Sequence, residues 1–102
     1  MNVFIDDKEL EKLYETAKSN KLRLPAQVID KFLATVQKIE AATTIYDLWA
    51  DSGLNFEKLK GYKNRYSMRL SGKYRLEMEI KWLNDDQIQG DFILKTISTH
   101  YN

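Results

Sequence analysis

The stretch FEKLKGYKNRYSMRLSGKYRLEMEIKW, residues 56–82, gathers the side chains best suited to handling a charged group. Between residues 58 and 81 stand eight Lys and Arg against two Asp and Glu, net +6. Residues 1–57 carry net −3 and residues 82–102 net −2, so the total of +1 conceals a strongly basic segment. Arg69 and Arg75 each offer a guanidinium fork, always charged and able to grip an anion with two parallel hydrogen bonds. Lys60 is a point charge that can also transfer a proton if neighbouring cations lower its pKa. His100 is the one histidine in the chain, and its ordinary pKa of about 6.5 suits proton transfer near neutral pH. A basic sheet face is the footprint of a phosphate-bearing partner, because each neutralised phosphate releases counterions. The competing reading is a solvated strand face.

Those residues have to be positioned by regular elements, and the period of the apolar residues says which. Tyr66, Met68 and Leu70 alternate with Ser67 and Arg69, and Tyr74, Leu76, Met78, Ile80 and Trp82 alternate with Arg75, Glu77, Glu79 and Lys81. A period of two marks half-buried strands, and it places Arg69 and Arg75 on the face away from the core. Ser71-Gly72 is a hairpin turn signal, and Asn84-Asp85-Asp86 opens a second turn before a last strand, FILKTISTHY. Its parity is open: Phe92, Leu94 and Thr96 alternate with Ile93, Lys95 and Ile97, and either set can face the core, which leaves the direction of His100 undetermined. A further short strand is expected around 56–59.

Before residue 56 the period is that of a helix. Leu10, Leu13, Tyr14 and Ala17 recur at helical spacing after Asp6, which stands as N-cap with Glu9 three positions on, predicting a helix over 7–19. Val28, Ile29, Phe32, Val36 and Ile39 form one stripe behind Pro25, which suits a first turn, predicting a second helix over 25–42. The expected fold is α+β: two N-terminal helices packed on a twisted antiparallel sheet of three to four strands, in a single domain over 1–102.

Composition narrows the class. No segment reaches the roughly 18 consecutive apolar residues of a membrane span, the N-terminus lacks the pattern of a signal peptide, and there is no cysteine. A reducing cytoplasm is expected. One histidine without cysteines argues against a structural zinc site, and no cofactor is called for.

Three pieces in order carry a resemblance. Phe56-Glu57-Lys58-Leu59-Lys60-Gly61 is similar to a pattern LxxLKG, Tyr66 to Arg75 is similar to YSIRxNxxWR with both arginines at the same spacing, and Ser98-Thr99-His100 is similar to a terminal DYH. Together with LPAQVIDKFLATVQKIEAATTIYDL upstream, the chain resembles the HigB branch of the RelE/ParE toxin superfamily over nearly its whole length. That resemblance implies a twisted antiparallel sheet with two N-terminal helices on one face. It implies a ribonuclease toxin of a type II toxin–antitoxin system, cutting mRNA at the ribosome, inhibiting translation, and neutralised by a HigA-like helix-turn-helix antitoxin. DNA would be reached only indirectly, through that antitoxin.

Metal-free RNA cleavage needs a 2′-hydroxyl deprotonated, phosphorane charge stabilised and a leaving 5′-oxygen protonated. On the resemblance, Arg75 and Arg69 hold the scissile phosphate, His100 matches the terminal family histidine, and Lys60 supplies a second charge or a proton. Lys58, Lys63, Arg65 and Lys73 would meet ribosomal RNA backbone, and Tyr101 could stack on a base. Tyr62 and Tyr66 suit packing better, as aromatics in strands commonly do. Ser98 and Thr99 replace the family's Asp and Tyr, and Glu77 and Glu79 on the strand of Arg75 can pair with Arg69, Arg75 or Lys81. The alternative is a ParE-like toxin that inhibits a protein such as DNA gyrase without cutting RNA.

Overall fold

A computed structural model describes residues 1–19 and 21–99. The order is β1 (Val3–Ile5), α1 (Lys8–Thr16), α2 (Ala26–Ala41), α3 (Ile45–Trp49), a 3₁₀ turn (Ser52–Leu54), then β2 (Glu57–Lys58), β3 (Arg65–Arg69), β4 (Tyr74–Trp82) and β5 (Gly90–Thr99). The sheet has five strands in the order β1-β5-β4-β3-β2. Strands β2 to β5 pair antiparallel, whereas β1 lies parallel to β5 through Val3–Phe92, Phe4–Ile93 and Ile5–Leu94. The expected antiparallel sheet of three to four strands is therefore a mixed one of five. A run of three residues is too short to declare a period, which is why β1 is silent in the sequence.

Leu76, Met78 and Ile80 on β4 are fully buried. They join Met68, Phe92 and Leu94 from neighbouring strands and the buried faces of the helices in one cluster. The α2 stripe supplies Val28, Phe32, Val36 and Ile39, α1 supplies Leu10 and Leu13, and α3 supplies Ile45 and Leu48. Helix α3 adds a third helix to the expected two. It starts at Thr44, where Asp47 reaches back to accept from the Thr43 and Thr44 backbone N–H groups at 2.9 and 3.1 Å, an N-terminal box of the kind that lets so short a helix form.

The ends of the helices differ from expectation for local reasons. The α1 cap is Asp7, not Asp6, and its carboxylate accepts from the backbone N–H groups of Glu9 and Leu10 at 2.9 and 3.0 Å. The helix stops at Thr16 because Ala17 turns left-handed, φ 58°, with its N–H donating to the Leu13 carbonyl. Tyr14 and Ala17, placed in the apolar stripe by spacing, are exposed, and the Tyr14 hydroxyl donates to Glu40 at 3.3 Å. Pro25 occupies the N-cap of α2 rather than its first turn. Tyr66 is a packing residue: its ring lies 5.3 Å from Phe56 and 6.0 Å from Trp82, and burial pushes its phenol pKa up.

Register along β4 and β5 slips by one residue, since Met78 pairs with Leu94 but Glu77 with Thr96, leaving Lys95 as the extra residue. The slip decides the open parity question. Phe92 and Leu94 face the core before it, and Ile97, opposite Leu76, packs against the core after it, so each alternative set is right for half of the strand.

Two expectations follow for stability. At Gly90 an added Cβ would lie 2.7 Å from Ile80 Cγ2 and 2.9 Å from the Lys81 carbonyl oxygen, so Gly90→Ala is expected to cost about 1–3 kcal/mol in urea unfolding; an unchanged midpoint would refute the tight approach. Hydrogen bonds from Lys95 hold the Asp6 carboxyl below its ordinary value of 3.8, those from the Thr44 and Thr43 backbone do so for Asp47, and one from Lys38 does so for Asp51. The folded chain then binds fewer protons than the unfolded one, so this stabilisation is present above the unfolded value and is lost as pH falls through the folded one. Melting temperature is expected to decline below about pH 4, and Asp47→Asn to decline less steeply there than wild type.

Candidate functional site

The β3–β4 hairpin is what brings the two principal arginines together. Its turn is closed by Ser71, whose hydroxyl accepts from the Lys73 and Tyr74 N–H groups at 3.2 and 3.1 Å, and by the Leu70 N–H donating to the Tyr74 carbonyl at 3.0 Å. This geometry sets Arg69 directly opposite Arg75. Both project from the sheet face turned away from the core. Like charges directly opposite on a strand pair repel, yet among the described residues neither arginine has an ion-pair partner.

The two arginines line a cleft of about 230 Å³ together with Asn55, Glu57, Ser67, Ser71, Gly72 and Tyr74. Arg75 is half-buried, and its Nε has no hydrogen-bond partner among the described residues; the same holds for the hydroxyl of Ser98, its register partner on β5. Glu57 is the one carboxylate on the cleft lining, held by the Asn55 side-chain amide at 3.1 Å. It stands opposite Ser67, which stands opposite Glu77, which stands opposite Thr96. The open face thus carries a row Arg69–Arg75–Ser98 and, beside it, a row Glu57–Ser67–Glu77–Thr96.

The remaining basic residues are dispersed. Lys58 is exposed on β2, and Lys60 and Lys63 are exposed on the loop 59–64, where Gly61 at φ 86° makes a turn that L side chains resist. Lys60 is not on the cleft lining. Lys73 sits on the hairpin turn with its ammonium 5.5 Å from the Tyr74 ring. Arg65 packs its guanidinium over Tyr62 at 5.5 Å and pairs with Glu77 at 3.7 Å. Glu77 therefore engages Arg65, and neither Arg69 nor Arg75. His100 and Tyr101 lie outside the described residues. Sequence reading passed over Glu57 and Asn55; the LKG motif flags the neighbourhood, but only the β2–β3 register places a carboxylate beside the arginines.

A larger concavity of about 430 Å³ lies at the β1 side of the same face, lined by Phe4, Ile5, Asp6, Glu79, Lys81, Asp91, Ile93 and Lys95. Its cations are outnumbered by acids: Lys95 contacts Asp6 at 2.8 Å, Lys81 stands opposite Asp91, and Glu79 lies beside them. Unmatched positive charge marks the smaller cleft instead. Among the described residues no group of three or more His, Cys, Asp or Glu is placed to hold a metal ion, and no helix is long and apolar enough to cross a membrane.

Comparison with known proteins bears on this geometry. Among solved structures, the YoeB/ParE toxin from Agrobacterium tumefaciens aligns with a TM-score of 0.62 at 17% identity, over 99% of this chain and 100% of that one, a likeness of fold. No curated protein sequence matches the chain. A family model described as the RelE-like toxin of type II toxin–antitoxin system HigB matches residues 3–93. With the match spanning strands β1 to β4, the start of β5 and all three helices, the chain belongs to the HigB-like family of RelE-like type II toxins.

Proposed function

We propose that this toxin is a metal-independent endoribonuclease that cuts mRNA on the ribosome, and that the cleft between Arg69 and Arg75 receives the scissile phosphate. The observation that carries the reading is the Arg69–Arg75 register pair: two guanidiniums held opposite one another, without a carboxylate partner among the described residues, at the wall of a cleft. An anion bound between them relieves their repulsion, and the gain grows where negative charge develops on a phosphorane.

The chemistry uses no imported group. The 2′-hydroxyl attacks the adjacent phosphorus, its proton is taken up by the enzyme, the P–O5′ bond breaks, and the 5′-oxygen receives a proton. The products are a 2′,3′-cyclic phosphate and a 5′-hydroxyl. Glu57 is on the cleft lining and can accept the first proton. His100 is the sequence's candidate for a proton transfer, and Lys60 for an additional charge near the docking surface. Lys58, Lys63 and Lys73, spread over β2 and the two hairpin loops, suit contacts with ribosomal RNA backbone, and Tyr101 suits stacking. Type II toxins are paired with an antitoxin; we assign a HigA-like helix-turn-helix protein to that role, and the cytoplasm as the place of action.

The test is induction of wild type, Arg75→Ala, Arg75→Lys, Glu57→Gln and His100→Ala in growing cells, with mRNA 5′ ends mapped and folded protein confirmed by circular dichroism. Wild type is expected to arrest growth and cut translated messages. Arg75→Ala is expected to lose about 10²–10³-fold of cleavage, with Arg75→Lys restoring only part because a lysine lacks the bidentate fork. Growth arrest by wild type without new RNA ends would refute the nuclease and point to a protein target such as DNA gyrase.

A further inference from the structure

The open face carries a third arginine that the cleft does not use. Arg65 is two positions from Ser67 along β3, and its register partner is Glu79, yet its guanidinium leans diagonally to Glu77 at 3.7 Å. The side chains of this pair retain only 27% and 16% of their exposure, and the guanidinium carbon also lies over the Tyr62 ring, 5.5 Å from its centroid. Arg65 Nε is buried with no hydrogen-bond partner among the described residues. Its charge is therefore both countered and hemmed in, in contrast to Arg69 and Arg75 on the same face.

We infer that Glu77 is an internal counter-ion that withholds Arg65 from RNA, so that a phosphate chain crossing β3 and β4 is gripped at the Arg69–Arg75 row and not at Arg65. The inference rests on the reading of this face as phosphate-binding. Its physical basis is competition: a carboxylate fixed by the β-sheet beside Arg65 occupies the place that a phosphate oxygen would take. It also repels a phosphate approaching Arg65. Glu77 is thus a specificity-determining residue, fixing the register in which RNA lies across the strands.

The prediction is a gain of binding from loss of a charge. Glu77→Gln keeps the side chain's size and frees Arg65 to meet one more phosphate. On a single strand that adds about 0.7 to the slope of log affinity against log salt, or about fivefold in affinity at 0.1 M salt. The measurement is fluorescence anisotropy of a labelled 2′-O-methyl uridine oligonucleotide, which cannot be cleaved, titrated with wild type, E77Q, R65A, the E77Q/R65A double variant and R75A at several salt concentrations. Urea unfolding confirms that each is folded. Support is tighter binding and a steeper slope for E77Q, reversal in the double variant, and an R65A indistinguishable from wild type; binding by E77Q alone would support it equally. If E77Q matches wild type, or R65A weakens wild type, while Arg75→Ala abolishes binding, the inference fails and the phosphate site stands. If neither wild type nor E77Q binds, both are refuted.

Discussion

Strand β4 is the element on which the rest of the molecule depends. Met78 lies between Tyr66 and Leu94, Leu76 between Met68 and Ile97, and Ile80 is opposite Phe92, so every core residue of the central strand is flanked by an apolar partner. Because the side-chain period of a strand is two, a slip of one residue would turn Arg75, Glu77, Glu79 and Lys81 into the core and the apolar set into water. Burying even one of those charges without a partner costs more than a small domain can spare. The register is therefore determined by the core, and the arrangement of charge on the opposite face follows from it.

That arrangement is not uniform. Two cations of the open face are paired with acids: Lys95 with Asp6, and Arg65 with Glu77. Only the row nearest the β3–β4 turn sets two cations side by side. A sheet selected for stability alone would place an acid opposite one of them, as it does with Lys81 and Asp91. The unfavourable pair is tolerated because the hydrophobic contacts of β4 hold it in place, and that is the usual relation between a binding site and the fold beneath it.

How much of this could be read from the chain follows from how local each signal is. The α2 stripe and the β3–β4 hairpin were legible, because periodicity and the Ser71-Gly72 turn lie within a few residues of what they determine. Once the hairpin is accepted, the opposition of Arg69 and Arg75 needs no further information. Strand β1, helix α3 and the side-chain row through Glu57 were not legible. Val3–Ile5 is a strand only because β5 lies alongside it, and Glu57 reaches the cleft only because loop 59–64, turning at Gly61, returns the chain in one particular register. Asp6 and Asp7 illustrate the finest scale: adjacent carboxylates compete for one cap, and Asp6 is instead drawn to Lys95, 89 positions away in sequence.

The bulge at Lys95 joins these observations. Without it, a strand that buries Phe92 and Leu94 would bury Thr96 and Ser98 too, and turn Ile97 outward. The extra residue reverses the phase, so Ile97 packs against the core while Thr96 and Ser98 come to the opposite face, across from Glu77 and Arg75. It also leaves Lys95 where it can reach Asp6 at the end of β1. One inserted residue thus does two things: it sets Thr96 and Ser98 opposite Glu77 and Arg75, and it ties the parallel edge strand to the sheet. Bulges disrupt a ladder at some cost and persist where they re-aim side chains; here the side chain they re-aim beside Arg75 is that of Ser98, in the row where an anion has two guanidiniums to meet.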